Sequence, residues 1–195
     1  MKFFKNIFKS LEDKKQEELK EQQVALSLDD SFVHNFIKLG GKFLYCQSKK
    51  DVIKNLQHIL EENNWDIIST KNADLNPFIS SLKSKIKNEF NNDFPFFTDC
   101  EFLISENGSL LFSSNQLEDK KLASLTKDFI VFATTSQIVK SKDESLTGIK
   151  IKYGKDLPTN ISPIKNYNPN NTEDNFLNYG TNNSKNLYLL LLEDL

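Results

Sequence analysis

The sequence predicts an α/β protein of three layers, a largely parallel sheet with one β-hairpin built into it. Two observations carry this. Helical and extended patterns alternate through the first half, the order that builds a parallel sheet covered on both faces. In the second half, two apolar runs flank Glu106-Asn107-Gly108. Asn-Gly between such runs is a strong hairpin signal, because both residues tolerate positive φ.

The elements follow in order. Residues 1–29 form a polar helical extension in which Phe3, Phe4, Ile7, Phe8 and Leu11 recur at helical spacing, with Lys2, Lys5 and Lys9 mainly off that stripe. Such a segment packs on the protein body or on a partner, stays disordered, or lies on a membrane surface. The domain proper is expected over 30–195. Residues 30–39 read as a helix closed by Gly40-Gly41, where glycine suits the left-handed cap. A strand over 42–46 follows. Ser48 caps a helix over 49–63, whose Val52, Ile53, Leu56, Ile59 and Leu60 keep a 3.6-residue period. A second strand is expected over 65–69. A helix is expected over 75–90, with Pro77 tolerated in its first turn. Phe94-Pro95-Phe96-Phe97 is an aromatic loop or a short strand.

The hairpin strands are expected over 100–105 and 109–113. A buried strand over 129–133 runs into a polar turn, Thr134-Thr135-Ser136-Gln137. Residues 142–153 suggest a helix. Residues 158–163 are extended, since the residue before each proline disfavours helix. A long loop rich in Asn covers 167–185. The apolar run over 187–192 fits a strand buried on both faces.

Composition excludes several classes of function. A net charge of −2 and a pI of about 5.8 give no electrostatic footprint for nucleic acid. All 25 basic residues are Lys, so no guanidinium fork is available for bidentate anion binding. Cys46 and Cys100 stand alone, as reduced, buried thiols of a cytosolic protein do. His34 and His58 are the only histidines, and His58 falls beside its helix's apolar stripe, facing solvent. No metal site and no cofactor are expected from so sparse a donor set. No apolar run is long enough for a signal peptide or a membrane span, so a cytoplasmic location is expected, without membrane contact.

Ligands of open α/β sheets bind beyond the carboxyl ends of the strands. Four polar clusters occupy predicted strand ends. Glu106, with Asn107, Gly108 and Ser109, is a base or nucleophile if buried and a solvated turn carboxylate otherwise. Thr134, Thr135, Ser136 and Gln137 offer hydroxyls and N–H groups to an anion, or are ordinary turn residues. Thr159 and Asn160 form the third cluster. Gly180, Ser184 and Lys185 form an anion-binding loop before the final strand, or a surface loop.

Three stretches carry a resemblance. Thr98-Asp99-Cys100-Glu101-Phe102-Leu103-Ile104-Ser105-Glu106-Asn107-Gly108-Ser109-Leu110-Leu111-Phe112 resembles a family segment in which an apolar strand leads into Glu-Thr-Gly-Thr and a second strand. Phe129-Ile130-Val131-Phe132-Ala133-Thr134-Thr135-Ser136-Gln137-Ile138-Val139 resembles the family's next strand with its Gln-Ile-Val ending. The closing strand with Glu193-Asp194 resembles the family's last strand. The family is the LUD domain, of the LutC-like (lactate utilization) type, over roughly 30–195.

The resemblance implies a fold like that of the NagB/RpiA/CoA-transferase superfamily. It implies a bacterial protein of lactate oxidation, an accessory subunit beside iron–sulfur LUD and oxidoreductase subunits. This chain lacks their cysteine clusters and cannot hold such a cluster itself. It departs from the pattern elsewhere. Leu157-Pro158-Thr159-Asn160-Ile161 stands where the family carries Gly-Pro-Ser-Arg-Thr, and Asn107 stands for the Thr of Glu-Thr-Gly. Two other functions stay open. One is an enzyme of the CoA-transferase or folate cyclo-ligase kind, with Glu106 as nucleophile or base and the 134–137 turn holding an oxyanion. The other is an interaction protein that uses its N-terminal stripe.

Overall fold

Four apolar runs line up side by side to make the centre of the molecule, seen in a computed structural model that describes residues 27–168 and 183–194. Strands β1 (Lys42–Cys46), β10 (Asn186–Leu192), β7 (Asp128–Thr134) and β4 (Phe96–Asp99) are consecutive neighbours, and β2 (Ile67–Ser69) and β3 (Lys85–Lys87) extend the row to six. Every pairing in this sheet is parallel. The late strand β10 sits between β1 and β7, which explains its apolar character. It is buried on both faces and paired on both edges.

A second sheet of four strands, in the order β8-β5-β6-β9, leaves the carboxyl end of the first. Its members are β5 (Phe102–Ile104), β6 (Ser109–Phe112), β8 (Ile138–Val139) and β9 (Ser162–Ile164). Strands β5 and β6 form the expected hairpin, antiparallel, with Ile104 opposite Ser109. The connection is a four-residue loop. Gly108 has a positive φ of 64° and Asn107 does not, so this is not a two-residue Asn-Gly turn.

The layers follow from the alternation of side chains. One face of the large sheet (Ile68, Phe97, Ile130, Leu190) packs on α2 (Lys49–Glu62) and α3 (Asn76–Ile79). The other face (Phe96, Phe129, Val131, Leu189) packs on α1 (Leu28–Lys38) and on the small sheet through Leu103, Leu110 and Phe112. Helix α5 (Lys142–Tyr153) covers the outer face of the small sheet, with Ile149 against Ile104 and Leu111. The three-layer α/β class is thus observed, with the small sheet supplying part of the third layer. Ser27 caps α1, accepting from Asp30 N at 3.1 Å, and Ser48 caps α2 in the same way. Helix α1 begins at Leu28, slightly earlier than its apolar pattern suggests. Its Phe32 and Phe36 are fully buried, worth about 1.5–3 kcal/mol each.

One predicted element is wrong. Residues 75–90 do not form a single helix. A 3-10 turn (Ala73–Leu75) leads into the one-turn helix α3, started by Pro77, and the chain then extends into β3. Strand β3 pairs with β2 from Ile67↔Lys85 to Ser69↔Lys87. The aromatic stretch at 94–97 resolves as the entry to the central strand β4. The N-terminal stripe at 3–11 and the loop segment with Gly180 lie outside the described residues.

Candidate functional site at the carboxyl edge of the large sheet

Strand β4 ends on Asp99, and two residues later Glu101 opens the small sheet. Glu101 is 1% exposed. A buried carboxylate is costly unless fully hydrogen-bonded, and this one is. Ser113 Oγ donates to Oε1 at 2.6 Å, Asn115 Nδ2 at 3.0 Å and Gln116 Nε2 at 3.3 Å. Tyr153 OH donates to Oε2 at 2.9 Å and Lys152 Nζ at 3.2 Å. The first three come from the start of α4 (Ser114–Leu117) and its capping Ser113. The last two come from the end of α5. Burial alone would raise the Glu101 pKa. Hydrogen bonds from Ser113, Tyr153 and Asn115, with the Lys152 charge, outweigh it and hold Glu101 below the usual carboxylate range.

Asp99 behaves oppositely. Burial pushes its pKa up, Asn72 and Gln116 offset part of this by hydrogen bonding, and the Glu101 charge adds to the rise. Gln116 Nε2 reaches both carboxylates, 3.4 Å from Asp99 Oδ2. Two neighbouring carboxyl groups are therefore pushed apart, one toward the neutral and one toward the ionised form. That is the arrangement from which acid and base roles can be assigned. Beside them, Lys152 keeps an ammonium whose side chain is 54% exposed. Thr70 Oγ1, at the carboxyl end of β2, is buried and has no hydrogen-bond partner among the described residues.

The Thr134–Gln137 turn lies at the same edge, after β7. It does hold a carboxylate, and the carboxylate is the chain's own. Asp194 Oδ1 accepts from Thr135 Oγ1 at 2.8 Å and Ser136 N at 2.9 Å, and Oδ2 accepts from Ser136 Oγ at 2.7 Å. Slight burial raises the Asp194 pKa. Bonds from Ser136, Thr135 and Thr134 overcome this and lower it to about 2. Gln137 turns inward and donates to Cys100 O at 2.6 Å and Glu101 O at 3.2 Å, tying this turn to the start of the small sheet.

The other predicted residues lie apart. Glu106 is exposed, and its Oε1 accepts from Lys142 N at 3.3 Å in the first turn of α5. It lines none of the four cavities beside Lys185, Phe90, Tyr45 and Trp65. Asn107 Oδ1 accepts from Ser109 N and Oγ within the hairpin loop. Gly108 O accepts from Tyr167 OH at 2.7 Å. Ser114 and Thr159 exchange hydrogen bonds, and Asn160 donates to Lys120 O. Ser184 and Lys185 line a cavity of about 550 Å³ with Thr126 and Asp128, at the opposite, amino edge of β7 and β10. Lys185 Nζ donates to Leu125 O at 2.9 Å and Thr126 O at 2.8 Å. Burial, opposed by Asp128, lowers its pKa to about 8.

Sequence reasoning passed over Asp99, Glu101, Gln116, Lys152, Tyr153 and Asp194. The available signal was two acids inside the apolar run 96–104, since carboxylates within such a run must find partners if buried. Among the described residues, no group of three or more His, Cys, Asp or Glu is placed to hold a metal. No described helix is long and apolar enough to cross a membrane.

A three-layer α/β fold with a buried cluster of polar groups at the carboxyl edge of a parallel sheet is the class that these features define. The family model described as the LUD domain matches residues 30–192, and the chain belongs to that family. At the family level it is a lactate-utilization-associated protein. In structure it is similar to a DUF162 family protein from Deinococcus radiodurans, with a TM-score of 0.60 and 11% identity, covering 87% of this chain and 99% of that one. At that identity the likeness speaks for the fold. No curated protein matches the sequence.

Proposed function

We propose that this chain is the LUD subunit without an iron–sulfur cluster in the cytoplasmic utilization of lactate or a related organic acid, beside iron–sulfur LUD and oxidoreductase subunits. The match to the LUD family across 30–192 carries the reading. The chain's two cysteines, both buried free thiols, are too few for a cluster, so any cluster belongs to a partner. The carboxyl edge supplies groups that suit a small organic anion. Lys152 is the cation there and Asp99 the proton carrier. Deletion of the gene should abolish growth on lactate, and a tagged chain should recover iron–sulfur partners. Unchanged growth together with an empty pull-down would overturn the proposal.

A second reading, an acid–base enzyme, is favoured by the opposed shifts of Asp99 and Glu101. In it the working carboxyl group is Asp99, positioned through Gln116, and not Glu106. Asp99→Asn should then abolish turnover of an organic-acid or acyl substrate while Glu106→Gln preserves it. The reverse pattern would return the role to Glu106.

A further inference from the structure

Helix α1 and edge strand β1 enclose a groove of about 610 Å³ on one face of the large sheet. Its floor and walls are mainly apolar, formed by Leu191, Phe43, Val33 and the ring of Tyr45, with His34 and Thr135 beside them. Leu191 is buried, Phe43 half-buried, and Tyr45 46% exposed. Asp29 and Asp30 make its rim acidic. Strand β1 pairs with β10 alone among the described strands.

We propose that this groove receives the chain's own N-terminal segment, residues 2–11. Three observations select this occupant. The segment's apolar stripe, Phe3, Phe4, Ile7, Phe8 and Leu11, matches the apolar floor. Its Lys2, Lys5 and Lys9 match the acidic rim by charge. Ser27, where the described chain begins, itself lines the groove. Residues 12–26 therefore form a tether that starts at the groove and only has to double back. Extended, such a tether spans up to about 50 Å, and as a helix roughly 22 Å, so reach is no obstacle. Covalent linkage through a tether of this length also places the stripe near the groove at an effective concentration on the order of millimolar, which favours the chain's own segment over a separate partner. The inference does not depend on the lactate reading.

Photo-cross-linking of the full chain tests it. A benzophenone amino acid replaces the exposed Tyr45, and a second preparation carries it at the exposed His34 on the opposite wall. Irradiation, digestion and mass spectrometry should find both labels joined to peptides from residues 2–11 in the monomer. The double substitution Phe4→Glu and Phe8→Glu should lower that yield at least roughly fivefold, since it breaks the apolar match. Capture of any other region, capture only between two copies, or a yield unmoved by the double substitution would each overturn the proposal.

Discussion

Replacing Glu101 by Gln removes one charge from a site that is otherwise fully satisfied. The carboxylate accepts from three donors on Oε1 and two on Oε2. A glutamine keeps one acceptor oxygen. If that oxygen stays with Ser113, Asn115 and Gln116, the new NH₂ group faces Tyr153 OH and Lys152 Nζ. The tyrosine hydroxyl can turn to accept, but the ammonium cannot. Breaking a buried charge pair from one side costs about 3–5 kcal/mol. Lys152 is half in water and recovers part of its hydration, so the lower end, about 3 kcal/mol, applies. For a chain of this length that lowers Tm by roughly 6–12 °C.

Urea unfolding and thermal melts at pH 7 read the loss, and repeating them down an acid series reads its origin. Glu101 has its folded-state pKa below the unfolded value. Its ionic stabilisation is therefore complete above the unfolded carboxylate range and disappears as pH falls through the folded pKa. The gap between wild type and variant should be flat near neutrality and close in acid. A loss under about 1 kcal/mol at pH 7, the worth of an exposed pair, would refute the reasoning.

Asp99 carries a raised pKa, so its ionisation subtracts stability near neutrality, and Asp99→Asn should leave the melting temperature unchanged or higher. Lys185→Met addresses the opposite edge. The Lys185 pKa is about 8 folded, against an ordinary 10.5, so the native state binds fewer protons between those values and wild-type stability should rise with pH across that window. The shift is worth up to about 3 kcal/mol, and the methionine variant, followed by urea unfolding from pH 7 to 10.5, should lack the rise. Gly108→Ala should cost about 2–5 kcal/mol, since the added Cβ would combine left-handed strain with overpacking. That Cβ falls 2.5 Å from Phe36 N. Gly154→Ala, with a similar positive φ and open space, is the control and should cost only the strain, about 1–2 kcal/mol. Equal melting temperatures for the two alanine variants would show that the hairpin loop does not press on α1.

The elements that could be read from the residues are those whose pattern has one physical solution. Helix α2 keeps its apolar period through fourteen residues behind a serine cap, and β10 is apolar because it is paired and buried on every side. Residues 75–90 failed for a specific reason. Leu75, Phe78, Ile79, Leu82 and Ile86 keep helical spacing. Pairing of Lys85–Lys87 with β2, a contact made across the fold, overrides that local preference. The hairpin was legible from Asn-Gly, but its loop form was not. Gly108 packs against the α1 backbone and its carbonyl bonds Tyr167, and neither partner is nearby in sequence.

The candidate site shows the same division between chemistry and placement. The 134–137 turn was read either as an anion cradle or as ordinary turn residues, and its own sequence could not reveal that its donors go to the chain's own Asp194. Lys185 was read as an anion ligand, yet its ammonium is spent on two backbone carbonyls. Glu106 stood in the more conspicuous motif, while Glu101 stood in an apolar run and found its partners 12 to 52 positions downstream. Local sequence states what a group can do, and the convergence of the start of α4 and the end of α5 on the chain just after β4 decides which group meets its partners. This is why the motif residue became a surface helix cap and the residue between two strands became the hub. A functional test should therefore begin with Asp99, Glu101 and Lys152, where burial, charge and the carboxyl edge of the sheet coincide.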